Sequence, residues 1–312
     1  MPMPAIKPNF HAPASPFVLE NQAEYESWRA SKLAHFPKTA NELVVPIENP
    51  QQISVAERER ITAVCRKTNM VIYVCPAESA HEKTIVHEIG RAFGLTRLDP
   101  NMLADDDGVS SLEVMPGKSG RGYIPYSNQR LLWHTDGYYN RPDRYIRAFL
   151  LHCARPAASG GDNVLLDPEI AYIQIRDHNP DFIRALMAPD AMTIPENTEA
   201  GEGVRAAETG PVFSVDLQGN LHMRYTARTR SIVWKDNAMT RAAVSVLKEL
   251  LETDSAFRFR HRLEAGEGLL CNNVLHNRSA FENNLDNGGG RLIYRARYYD
   301  RIAGTDINAA NG

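Results

Sequence analysis

What is scarce in this 312-residue chain already narrows its chemistry. Cysteine is scarce, and the four present, Cys65, Cys75, Cys153 and Cys271, lie far apart without a CxxC pair. A disulfide framework or a cysteine zinc site is therefore not expected, and each reads as a small buried hydrophobe. Long apolar runs are missing as well: no stretch approaches the roughly 18 residues of a membrane span. The opening MPMPAIKPNFHAPASP has no basic segment followed by an apolar run, so the expected location is cytoplasmic. An excess of one charge is also missing. With 35 basic and 38 acidic residues the formal net charge is -3, which gives no electrostatic reason to bind nucleic acid or an anionic membrane. The expected partner is a small-molecule substrate, and nothing demands an oligomer.

The hydrophobic content of 43% and charged content of 23% are those of an ordinary globular protein. The length allows one large domain or two, and without a repeat or a long linker we expect one, spanning 1–312. Its first 20 or so residues are proline-rich and read as an extended arm. AEYESWRASKLAHF (23–36), VAERERITAVCRKTN (55–69) and HEKTIVHEIGRAFGL (81–95) have helical spacing, and MVIYV (70–74) is a β-branched strand. From about residue 123 short strand-like runs alternate with turns: YIRAFLLHCA (145–154), VLL (164–166), PVFSVDLQGNLHMRY (211–225), GLLCNNVLHN (268–277) and RLIYRARYY (291–299). Such spacing suggests an antiparallel sandwich or barrel, interrupted by helical insertions at 168–187 and 237–252. PGKSGRG (116–122) is not a phosphate loop, because Leu112 stands where the first glycine is needed. DDDG (105–108) lacks the ligand spacing of a calcium loop. Both read as turns.

The stretch LLWHTDGYYN (131–140) sets His134 and Asp136 two apart. With ten histidines and 38 acidic residues, chance alone supplies about one His-x-Asp/Glu, so the pair means little by itself. At the end of a strand, however, residues i and i+2 share a face and reach one ion, whereas on a helix they splay apart. His276, closing GLLCNNVLHN, is the best third ligand. Two histidines and a carboxylate are the facial triad of non-heme Fe(II). In RLIYRARYY a period of two puts Arg291, Ile293, Arg295, Arg297 and Tyr299 on one face. That face is either a solvated basic one or a carboxylate-binding one, since guanidinium offers a bidentate fork.

The ordered motifs WHTD, GGDN, NNVLHNR and RLIYR resemble the iron(II)- and 2-oxoglutarate-dependent dioxygenases of the taurine dioxygenase group, over roughly residues 120–300. The resemblance implies a double-stranded β-helix, or jelly roll, mainly β with flanking helices. It implies that His134, Asp136 and His276 hold iron, that Arg291 grips the distal carboxylate of 2-oxoglutarate, and that Arg295 contacts an anionic substrate. Relatives often carry threonine after the GGD turn. Here it is Asn163, whose amide offers a similar hydrogen bond to 2-oxoglutarate. The loop DNGGG (286–290) lengthens the interval from His276 to Arg291. The implied reaction consumes O2 and 2-oxoglutarate, releases succinate and CO2, and oxidises an unactivated C–H bond of a small polar or charged molecule. Because Asp136 is present, hydroxylation or desaturation is favoured over halogenation.

Tyr138 and Asn128, which flank the HxD, are expected substrate contacts beside the ordinary reading of each as structural. Tyr225, Arg228, Arg230 and Trp234 would line the substrate cavity or brace the surface. His152 and His222 read as satisfied core or surface histidines. Two competing readings stand beside the oxygenase. A zinc hydrolase on the same triad would leave the arginine strand without a purpose. A non-catalytic jelly-roll protein that binds or senses a carboxylate would have no need of three convergent ligands.

Overall fold

The computed structural model describes residues 15–99, 107–114, 124–197, 205–283 and 289–307. The first 14 residues of the expected arm, the PGKSGRG turn, the first half of DDDG and most of DNGGG lie outside the described residues.

Order begins with α1 (Gln22–Leu33). A second helix, α2 (Val55–Thr68), then connects two parallel strands, β1 (Val44–Pro46) and β2 (Met70–Val74). Ser54 and Glu57 start α2 with a reciprocal capping box, and Asn69, in the left-handed region at φ 57°, turns the chain straight into β2. The other strands of this sheet are β3 (Ser110–Leu112), β5 (Ala148–Arg155), β14 (Glu267–Cys271) and β17 (Leu292–Tyr298). They give a six-stranded sheet in the order β1-β2-β14-β5-β17-β3, antiparallel apart from its first pair.

Alternation along these strands divides two cores. Val71, Tyr73, Leu150, Leu270, Tyr294 and Tyr298 point to one side, where α2 and α3 (Thr84–Ala92) cover them. Ile72, Phe149, Leu151, Leu269 and Ile293 point to the other. There they meet a four-stranded antiparallel sheet in the order β13-β7-β15-β4, formed by β4 (Leu131–His134), β7 (Asn163–Leu166), β13 (Arg258–His261) and β15 (Leu275–Arg278). Three helices pack with one another beyond it: α4 (Pro168–His178), α5 (Pro180–Leu186) and α6 (Ala238–Glu252). Smaller sheets complete the strands: β8 (Met192–Ile194), β9 (Glu208–Gly210) and β12 (Val233–Trp234); β10 (Phe213–Val215) with β11 (Leu221–Met223); β6 (Ser159–Gly160) with β16 (Phe281–Glu282).

The expectation of a mainly β jelly roll needs correction. Each sheet among the described residues has two free ends in its strand order, and none closes or curls into a barrel. The architecture is mixed α/β. Strands β2, β5, β14 and β17 are buried on both faces and need cover on both, which helices supply on one side and a second sheet on the other. A period of two reports which residues share a face and is silent on whether a sheet closes. The single insertion expected at 168–187 is two helices, because Asn179 leaves helical geometry and Pro180 starts the next helix.

Candidate active site

Strands β4 and β15 pair so that His134 stands opposite His276, with ring centroids 4.1 Å apart. Asp136 follows just past the end of β4, where no ladder orients it. Two other groups do. Thr135, facing away, accepts the Tyr225 N–H on its hydroxyl at 3.1 Å and donates its own N–H to the Tyr225 carbonyl at 3.0 Å. Asn273 accepts the Asp136 N–H on Oδ1 at 2.8 Å, and its Nδ2 donates to the carbonyls of Asp136 and Ile146 at 2.9 and 2.7 Å. Asn273 is itself left-handed, at φ 49°, which asparagine tolerates better than most residues. The chain leaves the site through Gly137 at φ 64°, where a Cβ would meet Ile146 at 2.4 Å.

One ligand atom each from His134, Asp136 and His276 lies within 4.8 Å of the others, and all three residues are buried. The Nδ1 of His134 bonds the Leu132 carbonyl at 2.8 Å and that of His276 the Val274 carbonyl at 2.9 Å. Bonding to a carbonyl assigns the proton to Nδ1, which leaves each Nε2 lone pair free. Burial, and then the neighbouring His134, push His276 down to about 3 and keep it neutral. Burial also works against charge on Asp136. The Arg295 guanidinium, aided by His134 and Arg297, outweighs it and holds the carboxyl well below the usual carboxylate range. Arg295 Nη1 stands 3.7 Å from Asp136 Oδ2, which has no hydrogen-bond partner among the described residues. Two imidazoles bonded to carbonyls through Nδ1 and a carboxylate with an orphaned buried oxygen fit a divalent iron ion.

The register of β7, β15 and β4 puts Asn163, Leu165, His276, Arg278 and His134 on one face of the four-stranded sheet. Asn163 is buried, and its amide makes no hydrogen bond among the described residues. Arg291, just before β17, is buried too, its guanidinium 5.1 Å from the Phe281 ring centre. That guanidinium forms no ion pair or hydrogen bond among the described residues. Arg278 approaches the same ring at 4.8 Å and donates to the main-chain carbonyls of Ser127 and Gln129. Burial pushes Arg291 down to about 10, and burial with the Arg291 charge pushes Arg278 to about 9, so both remain cations at neutral pH. Arg295 and Arg297 are also buried, so the basic face of β17 is not solvated.

A cavity of about 350 Å³ opens from His134 and Asp136. Tyr138, Arg295, Arg228 and Arg230 line it, whereas Asn163, Arg291 and His276 do not. Asn128 is exposed and does not line it, and its carbonyl accepts the Phe281 N–H. Tyr225 and Trp234 also stand outside the lining and pack with the core. Sequence reasoning missed Asn273, which was legible only as part of NNVLHN, and Arg205, which carried no signal.

The triad has the ligand set of a non-heme iron centre, two histidines and one carboxylate. The chain belongs to the taurine catabolism dioxygenase TauD, TfdA family, whose model matches residues 39–297. A uridine-5'-phosphate dioxygenase from Amycolatopsis sp is 32% identical over 176 residues, or 54% of this chain and 60% of that relative. The chain thus spans about 60% of the length of this curated relative. An asparagine oxygenase bound to Fe(II), 3-hydroxyasparagine and succinate superposes with a TM-score of 0.58 at 16% identity, covering 79% of this chain and 80% of that one. The non-heme iron oxygenase OrfP does so with 0.59 at 14% identity, covering 95% and 94%. At such identities these likenesses concern the fold. No described helix is long and apolar enough to cross a membrane.

Proposed function

We propose that the protein couples oxidative decarboxylation of 2-oxoglutarate to hydroxylation of an unactivated C–H bond in a small anionic molecule. The observation that carries this reading is the convergence of His134, Asp136 and His276 around an orphaned Asp136 oxygen. His134 and His276 would hold Fe(II) through Nε2 and Asp136 through its carboxylate. Bound iron supplies the activation of O2 that a protein side chain cannot. The remaining tasks fall to the chain's own residues. Arg291, a buried cation without a counter-ion among the described residues, suits the distal carboxylate of 2-oxoglutarate through a bidentate fork. The amide of Asn163, on the same sheet face as His276 and without a hydrogen bond among the described residues, would donate to that co-substrate. Arg295 holds Asp136 ionised, and with Tyr138 it borders the substrate cavity.

An anionic substrate is favoured because the cavity wall carries five arginines against two carboxylates. The named relatives act on anions or zwitterions, a uridine phosphate in one case and asparagine in another. An uncompensated Arg291 speaks against the zinc hydrolase, which has no use for it. The test is anaerobic titration of Fe(II) and 2-oxoglutarate into apoprotein, monitored by the weak visible charge-transfer band of the chelate. We expect the band in the wild type, its loss in His134→Ala, and a shift to at least tenfold higher 2-oxoglutarate in Arg291→Gln, in line with loss of about 1.4 kcal/mol or more. Absence of the band in the wild type, with tight zinc binding in its place, would overturn the reading.

A further inference from the structure

Two of the five arginines around the cavity are already engaged. Arg295 faces Asp136, and Arg297 pairs with Asp99 and donates to the Tyr139 hydroxyl at 3.1 Å. Arg205, Arg228 and Arg230 form no ion pair among the described residues, and the second carboxylate of the lining, Glu196, is exposed. We propose that Arg205, Arg228 and Arg230 form a subsite for a phosphate monoester on the substrate, an inference that rests on the oxygenase reading of the cavity.

The three side chains are placed by backbone that the fold holds firmly. An isolated bridge between His134 and Thr226 lays the segment after β11 beside the metal-ligand strand. Two residues on, the Arg228 N–H donates to the Thr226 hydroxyl at 3.2 Å and the Arg228 carbonyl accepts the Ser231 N–H at 2.8 Å. The single turn Thr229–Ser231 brings Arg230 to the same wall. Arg205 enters from a different element, its backbone paired with Asn197 at 2.8 and 2.9 Å. Each of its Nη atoms makes one main-chain contact, Nη1 donating to the Ala206 carbonyl at 3.1 Å and Nη2 to the Pro195 carbonyl at 2.8 Å, and its guanidinium stands 5.5 Å from the Tyr139 ring centre. These contacts orient the guanidinium and leave part of its donor fork free.

The number of cations without an ion-pair partner among the described residues points to the ligand class. One arginine satisfies a carboxylate with two parallel hydrogen bonds, and two more cations beside it would repel one another without a counter-charge. A phosphate monoester brings close to two negative charges and three strong acceptor oxygens, which matches three guanidiniums from two directions. Because the same cavity reaches His134 and Asp136, a phosphate held here leaves the rest of the molecule extending toward the triad.

The test uses the full chain loaded with Co(II) and saturating 2-oxoglutarate, so that the triad and Arg291 are occupied, and titrates inorganic phosphate by calorimetry. We expect saturable binding of one phosphate, weakened at least tenfold in Arg228→Gln and in Arg205→Gln, with acetate failing to compete. No saturable phosphate binding, binding that survives the double substitution, or equal competition by acetate would each overturn the subsite. The 2-oxoglutarate isotherm in the same samples keeps the two readings apart. If it is intact while phosphate fails, only the subsite falls; if 2-oxoglutarate fails while phosphate binds, the oxygenase reading falls.

Discussion

Asn273 is the most instructive residue to remove, because it joins the two halves of the triad without being a ligand. Its amide spends all of its reach on the main chain around Asp136: one acceptor bond at 2.8 Å and two donor bonds at 2.9 and 2.7 Å, all buried. His276 lies three residues further along the same chain segment, so the amide sets the Asp136 backbone relative to the strand that carries His276. Truncation to alanine leaves one N–H and two carbonyls buried with fewer partners, at about 1 kcal/mol each. It also forces a Cβ-bearing residue without a polar side chain to keep φ 49°, at about 1 kcal/mol more. The expected cost of Asn273→Ala is thus on the order of 4 kcal/mol, and of Asn273→Gly, which is free of the backbone term, on the order of 3 kcal/mol.

Stability alone would not separate a positioning role from a structural one, so metal affinity must be read as well. Loss of a residue that orients a ligand typically weakens metal binding by about 10–100-fold. Asn273→Gly should therefore lower the urea midpoint and also raise the Co(II) dissociation constant in equilibrium dialysis by about that factor, at a temperature where the variant is folded. A variant that loses the stability but binds Co(II) as the wild type does would refute the positioning argument. One that loses neither would refute the energetic one.

Three further outcomes follow from the structure. His152 is fully buried, with Nε2 on the Ala80 carbonyl at 3.0 Å and Nδ1 on the Tyr73 hydroxyl at 3.1 Å, and burial pushes it down to about 4. The unfolded chain therefore takes up a proton first: stability from this group is complete above about pH 6.5 and is lost as pH falls toward 4, by roughly 3 kcal/mol in all. Urea midpoints of wild type and His152→Gln should converge in that window, and parallel curves would rule this histidine out. Lys32, buried between Asp167 at 2.6 Å and Glu169 at 2.5 Å, is the hub of an ion cluster, so Lys32→Met should cost about 3–5 kcal/mol. Adding Asp167→Asn should recover part of that loss, and a double variant no more stable than the single one would contradict the assignment. Co(II) at 100 times its dissociation constant should raise the unfolding free energy by about 2.7 kcal/mol, and removal with chelator should reverse it. Asp136→Ala should abolish most of this gain, and an undiminished shift would place the metal elsewhere.

How much of this was legible in the sequence depended on how local the determining interaction was. Helix α2 and strand β2 are written into neighbouring residues: the Ser54 and Glu57 cap, the left-handed Asn69, then a β-branched run. The HxD spacing likewise needed only a strand end, and the structure puts His134 on the last residue of β4. Fold class depends on which strands pair and what covers each face, which no spacing records. The parallel pairing of β1 with β2, and the helices over Val71, Leu150 and Leu270, follow from contacts between distant segments.

The arginines show the same limit from the side of the site. Arg295 and Arg297 alternate along β17 and line the same cavity, yet a solvated stripe and a buried one have identical periodicity. What decides is the partner each guanidinium meets after folding. Arg297 finds Asp99 and Arg295 finds Asp136, 159 residues earlier in the chain, while among the described residues Arg291 meets an aromatic ring and Arg205, Arg228 and Arg230 line the cavity without an ion pair. A buried cation such as Arg291, which has no carboxylate partner among the described residues, is costly to maintain for stability alone, and an arriving anion would offset that cost. On the proposed reading, the arginines without an ion pair among the described residues take their partners from outside the chain, the co-substrate for Arg291 and a phosphate of the substrate for the arginine trio.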